Sequence, residues 1–141
     1  MSNSCYVFPS VIFQAVHAPE GPFQRARHYL NFPKFDHIIS TLHYLELAPL
    51  VARNHDRQLS EFWDWVQENR TKKVVPITDD TILRATELSI DYNLPRWESL
   101  HVAAALAAEA DYFLTPHEES HAVFKVPGVI FLSTAKGEPP A

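Results

Sequence analysis

The sequence predicts an α/β domain of three layers, in which helices cover both faces of a central, mainly parallel sheet. Short apolar segments alternate with longer helical patterns along the whole chain, which is the order typical of parallel sheets. The chain has 141 residues, of which 46% are hydrophobic, enough for one core. We therefore expect a single domain over residues 1–135 and a disordered tail over residues 136–141.

The individual elements follow from local patterns. Apolar segments predict strands over residues 5–8, 36–40, 73–77, 111–115 and 129–132. Helical spacing predicts helices over residues 11–16, 23–30, 41–54, 57–70 and 96–109, and a further helix capped by residues 78–81 and stopped at residues 93–95. Residues 117–124 are expected to form a short helix or loop. Pro49 should kink or split the helix that contains it.

Charge and cysteine content exclude several classes of protein. The net charge of −5 provides no long-range attraction for nucleic acid, although a metal-dependent nuclease site must itself be acidic. Cys5 is the only cysteine, so an internal disulfide and a cysteine-based zinc cluster are excluded. The N-terminus does not resemble a signal peptide, and no apolar run reaches the roughly 18 residues of a membrane span. We expect a cytoplasmic protein with no membrane partner.

The carboxyl ends of the predicted strands indicate where a site would form. In open α/β sheets, ligands bind beyond these ends. Residues 8–10, 40–41, 77–80 and 114–117 follow four of the strands, and Glu98 lies in the first turn of its helix. Asp79 and Asp80 at this edge are typical of a helix cap rather than of a ligand set.

Three segments carry a resemblance to a known family. The stretches Ala85-Thr86-Glu87-Leu88, Tyr92 to Leu106 (YNLPRWESLHVAAAL) and Ala110-Asp111-Tyr112-Phe113-Leu114-Thr115 resemble the C-terminal half of a PIN domain in order and spacing. Upstream, Tyr6 to Val11 resembles the opening strand of that family, and Leu45-Glu46-Leu47 resembles the segment with its internal glutamate. The resemblance covers nearly the whole chain and implies a PIN-like fold.

PIN domains are typically magnesium- or manganese-dependent ribonucleases, so the resemblance implies a set of site residues. Glu46 and Glu98 keep carboxylates at two acidic positions of the family, and Ser10 matches a small hydroxyl residue that would position substrate. The first aspartate of the family falls on Phe8, which cannot bind a metal. The last falls on His117, or is displaced to Glu118 or Glu119. The implied catalytic residues are Glu46, Glu98 and His117, and Glu118 is a further metal ligand.

Each of these residues also has a purely structural interpretation. Glu46 could form an ion pair with Arg53 or Arg96, and Glu98 could serve only as a first-turn charge on its helix. His101 lies three residues after Glu98, beside it on the helix, where packing alone would explain it. His117 and His121 have the spacing of a metal-binding pair, in a short segment.

The aromatic residues of the helix over 57–70 bear on partners. Phe62 and Trp63 fit its apolar stripe, whereas Trp65 faces away and suggests a contact with a protein partner or a second copy. Many PIN domains form homodimers and bind an antitoxin.

The sequence thus indicates a PIN-like metal-dependent ribonuclease, of toxin–antitoxin type, with impaired or lost activity. The alternative is a catalytically inactive PIN-fold module that binds RNA or protein.

Overall fold

The computed structural model describes residues 3–137 and 139 of the chain, in which five strands form one sheet. The strands are β1 (Asn3–Val7), β2 (Phe35–Ser40), β3 (Thr71–Val75), β4 (Tyr112–Thr115) and β5 (Ile130–Ser133). Every neighbouring pair is parallel, in the order β3-β2-β1-β4-β5. The predicted parallel sheet is confirmed.

Six α-helices connect these strands. They are α1 (Pro9–His17), α2 (Glu20–Asn31), α3 (Leu42–Asn54), α4 (Arg57–Asn69), α5 (Asp79–Tyr92) and α6 (Arg96–Ala107). The segment predicted as helix or loop contains a short 3₁₀-helix, Ala122–Lys125. The tail predicted from residue 136 lies partly outside the described residues, so that expectation stays a prediction.

Side chains that alternate along the strands build two separate cores. Cys5, Val7 and Ile39 face a core that includes residues of α1 to α4. Tyr6, Ile38 and Phe113 face a second core formed with α5 and α6. Because successive strand residues point to opposite faces, β1, β2, β4 and β5 contribute side chains to both cores, whereas the edge strand β3 contributes Val75 to the second core alone. The three-layer α/β/α architecture is therefore confirmed.

The third strand begins and ends two residues earlier than predicted. Its end at Val75 is explained by Pro76, which has no backbone N–H for the sheet. The strand begins with the polar residues Thr71 and Lys72. A hydrophobic pattern does not reveal them, because an edge strand can keep polar side chains in contact with solvent. Lys72 and Lys73 are exposed there, and lysines on an edge strand discourage pairing with another chain.

Pro49 does not split α3, which is continuous from Leu42 to Asn54. A proline inside a helix removes one hydrogen bond, here the bond to the carbonyl of Leu45. Leu45 is 58% exposed, so this turn of α3 lies at the surface. Of the two expectations, a kink or a split, the split is therefore wrong.

The order of the strands places a rim for a site at one edge of the sheet. From β1 the chain builds toward β2 and β3 on one side and toward β4 and β5 on the other. The carboxyl ends of β1 and β4 therefore flank the point where the direction of winding changes, the usual ligand position in such sheets.

Among the described residues, no helix is both long and apolar enough to cross a membrane.

Candidate functional site

Glu98 is the buried carboxylate of this rim. It lies in the first turn of α6, where the partial positive charge of the helix N-terminus stabilises an anion. Its Oε2 atom lies 3.0 Å from Nε2 of His117, which follows β4. Its Oε1 atom lies 3.3 Å from Nδ1 of His121. One carboxylate and two imidazoles thus converge between α6 and the loop after β4.

A second carboxylate–histidine pair lies beside the first. Nε2 of His101, a fully buried residue, forms a short hydrogen bond with Oε2 of Glu46 on α3. Because a carboxylate only accepts, the histidine nitrogen donates in this bond. Nδ1 of His101 lies 2.7 Å from the hydroxyl of Tyr6, which also bonds to Oγ of Ser40 at 2.8 Å. Glu46 is therefore held by a buried network rather than free at the rim.

His43 completes this network as a neutral side chain. Its Nδ1 accepts a hydrogen bond from the backbone N–H of Ser40 at 3.0 Å, which leaves Nε2 as the donor to the carbonyl of Val7. Burial first, and then the neighbouring His101, lower the pKa of His43 to about 3. Burial also raises the pKa of Tyr6 well above its ordinary value. These groups stay uncharged at neutral pH.

Phe8 lies between the two carboxylate–histidine pairs. It precedes α1 as the N-cap residue, with Pro9 in the first turn, which places its side chain directly after β1. Its ring makes an edge contact with His101, with centroids 5.0 Å apart, and lies 6.5 Å from the ring of His117. An apolar ring thus fills the centre of the rim.

Ser10 lies in a depression next to Glu46. The depression is lined by Pro9, Ser10, Phe13, Glu46, Leu47 and Leu50. The Ser10 hydroxyl oxygen is buried and has no hydrogen-bond partner within the described part of the chain. Buried polar atoms usually have partners, so this hydroxyl is a candidate contact for a bound molecule.

Comparison with solved structures identifies this arrangement of strands and helices. A chain of a toxin–antitoxin complex from Klebsiella pneumoniae is similar, with a TM-score of 0.68 and 16% sequence identity. The match covers 89% of the present chain and 95% of the Klebsiella chain. The chain has the PIN-like fold. VapBC2 from Rickettsia felis, bound to a promoter DNA fragment, matches with a TM-score of 0.62, 14% identity, and coverage of 92% of this chain and 98% of that one.

A third match extends over nearly the full length of both chains. DNA-bound VapBC from Salmonella typhimurium has a TM-score of 0.58, 14% identity, and coverage of 95% of this chain and 99% of that one. The sequence matches no protein-family model and no curated protein sequence. At these identities the comparisons establish the fold, whereas the chemistry of the site depends on its own residues.

The site residues predicted from the sequence divide into two groups in the structure. Glu98 and His117 come together as expected, and His121 joins them. Glu46 is not part of this cluster, and its partner is His101 rather than Arg53 or Arg96. The i, i+4 spacing of the two loop histidines was the only sequence signal for His121, although no α-helix holds them.

The alternative acidic ligands lie elsewhere. Glu118 is exposed and is not part of the Glu98 cluster. Glu119 lies 3.8 Å from Lys136, in an exposed ion pair. Asp79 and Asp80 are exposed in the first turn of α5, which begins with a capping box between Thr78 and Thr81. Of the alternatives for the last ligand, His117 is thus the one in contact with Glu98.

Trp65 does not face away from the protein as the helical spacing predicted. It is partly buried against the core on the α1–α4 side, and its ring stacks on Phe62 with centroids 5.7 Å apart. Arg27 lies over the Phe62 ring at 4.7 Å. A groove between α2 and α4 results, lined by Val16, Phe23, Arg27, Asn31, Gln58, Glu61, Phe62 and Trp65.

Proposed function

We propose that this chain is a ribonuclease-type PIN-fold protein of the toxin–antitoxin class, whose magnesium- or manganese-dependent activity is impaired or lost. The observation that carries the proposal is the position of Phe8, whose ring lies between His101 and His117 at the carboxyl end of β1. The resemblance to PIN domains would require an aspartate there. Hydrolysis of RNA by such a site depends on carboxylates that hold hard divalent cations.

The donors at the rim fit magnesium poorly. Mg²⁺ prefers an octahedral set of oxygen ligands, whereas two of the three clustered donors are imidazole nitrogens. The carboxylate of Glu46 is not available to the cluster because it is hydrogen-bonded to His101. Any activity that survives would depend on Glu46, Glu98 and His117, with Glu118 as a nearby carboxylate and Ser10 in contact with substrate.

An RNA-cleavage assay with the purified full chain tests this proposal. We expect no cleavage, or only slow cleavage, with Mg²⁺ or Mn²⁺. Residual cleavage should disappear in Glu46→Gln, because ligands that act together are lost together. Glu61→Gln is a matched control, since Glu61 is on the exposed side of α4 with 73% of its side chain accessible. Rapid cleavage with Mg²⁺ that Glu46→Gln leaves unchanged would contradict the proposal.

The second candidate is an inactive PIN-fold module that binds RNA or protein. The groove at Trp65 and Phe62 favours this function, because aromatic rings with a neighbouring arginine are typical of protein interfaces. An antitoxin-like protein is the proposed partner, and a homodimer is the proposed assembly. Absence of both cleavage and Mn²⁺ binding at millimolar concentration would favour the module over the enzyme.

A further inference from the structure

One oxygen atom of the buried Glu98 side chain has no hydrogen-bond partner among the described residues. The side chain is only 6% exposed, and the atom is Oε1. Nδ1 of His121 lies 3.3 Å from Oε1, but this atom already accepts a hydrogen bond from the backbone N–H of Val123 at 3.1 Å. Its single lone pair is used in that bond, so it has no hydrogen to donate to the carboxylate. A buried oxygen atom without a hydrogen-bond partner is costly, so this atom is available to a ligand.

The surrounding donors supply what a metal ion needs. One ligand atom from each of Glu98, His117 and His121 lies within 4.8 Å of the other two. The imidazoles are partly exposed, at 35% and 28% of their side chains, so an ion can reach them from solvent. Two nitrogens and a carboxylate form a set typical of zinc sites that keep an open fourth position.

We propose that Glu98, His117 and His121 bind a divalent transition-metal ion of the zinc type in preference to Mg²⁺. Imidazole ligands suit Zn²⁺ and its neighbours, whereas Mg²⁺ is held by oxygen atoms. The proposal rests on the proposed function only in placing a metal at this rim. It differs in its ligands, since His121 takes part and neither Glu46 nor Glu118 does, and it does not require cleavage of RNA.

Binding requires a small rearrangement of the two histidines. Their rings stack nearly parallel, with centroids 3.8 Å apart and planes at 14°. The ring lone pairs lie in the ring planes, so parallel rings cannot both point at one ion. One ring must tilt, and His121 must either bind through Nε2 or release the N–H of Val123. The loop after β4 should therefore change conformation when metal binds.

Cobalt absorption tests the site directly. The full chain, prepared without a histidine tag, should bind one Co²⁺ ion per chain, with visible absorption bands of a four-coordinate site. Zn²⁺ should abolish these bands at stoichiometric amounts, whereas Mg²⁺ should not do so even in large excess. His117→Ala, His121→Ala and Glu98→Gln should each weaken binding by more than the roughly 10–100-fold that loss of an outer-shell partner costs.

His28→Ala is the matched control, because His28 is an exposed histidine on α2, outside the cluster. Its Co²⁺ affinity should equal that of the wild type, and circular dichroism should show that all four variants are folded. Absence of Co²⁺ and Zn²⁺ binding, or binding that survives all three ligand substitutions, would overturn the inference. Displacement of Co²⁺ by equimolar Mg²⁺ would overturn the stated preference. None of these readouts depends on nuclease activity, so they separate this inference from the proposed function.

Discussion

Replacing His101 by alanine is expected to lower the free energy of unfolding by about 3–5 kcal/mol, because it leaves a cavity in the core and removes the hydrogen bonds of a buried side chain. His101 is fully buried and uses both ring nitrogens, one with Glu46 and one with the Tyr6 hydroxyl. Its ring also contacts Phe8 and His43. The substitution removes two hydrogen bonds, creates a cavity in the core and leaves Glu46 without its hydrogen-bond partner.

Urea denaturation followed by circular dichroism measures this change. His28→Ala, on the exposed face of α2, should stay within about 0.5 kcal/mol of the wild type. Tyr6→Phe removes only the hydroxyl of the same network and should cost about 1 kcal/mol. A loss for His101→Ala no larger than that of Tyr6→Phe would show that the network contributes little to stability.

Acidification is expected to destabilise the protein between about pH 6.5 and pH 3, through His37 and His43. Burial lowers the pKa of each to about 3, with Arg70 as the second cause for His37 and His101 as the second cause for His43. In the unfolded chain both residues take up protons near pH 6.5. Below this pH the unfolded state therefore binds more protons than the folded state, and stability falls as the pH falls.

Within this window, each histidine should change the free energy of unfolding by about 1.4 kcal/mol per pH unit. Above about pH 6.5, neither histidine should make the free energy of unfolding depend on pH. The variant His37→Leu removes the contribution of one histidine to the pH dependence. It breaks no hydrogen bond, because neither nitrogen of His37 has a hydrogen-bond partner among the described residues. Urea midpoints at pH 7 and pH 4.5 should differ less in this variant than in the wild type. His28→Leu should leave the difference unchanged. An identical pH dependence in His37→Leu and wild type would contradict the assignment.

The sequence was sufficient for the fold because each strand has its own apolar pattern and the turn residues separate the elements. The capping residues Thr78 and Thr81 and the stop at Asn93 were visible locally, and the structure has them as a capping box and a left-handed C-cap. The split that was one of two expectations at Pro49 is absent, because the effect of a proline depends on the surroundings of its helical turn, which a local pattern does not contain.

The site could be predicted only in part. Glu98 and His117 were placed at one rim because both follow from topology. The bond between Glu46 and His101 joins residues 55 positions apart and depends on side-chain rotamers, which no spacing rule contains. Trp65 was assigned to the wrong environment because helical spacing ignores α2, which covers that side of α4.

We propose that Phe8 occupies the position of a magnesium ligand in this PIN-like fold, so an aspartate there should create magnesium affinity. Magnesium titration of the full chain, by calorimetry and by the shift in melting temperature, compares wild type with Phe8→Asp. Phe23→Asp is the control, since it adds the same charge on α2, outside the Glu98 cluster. We predict that Phe8→Asp is destabilised without metal, gains Mg²⁺ affinity, and melts at a higher temperature as Mg²⁺ is added. The wild type and Phe23→Asp should show neither binding nor a shift. Equal Mg²⁺ binding by wild type and Phe8→Asp, or no binding by Phe8→Asp, would contradict this role of Phe8.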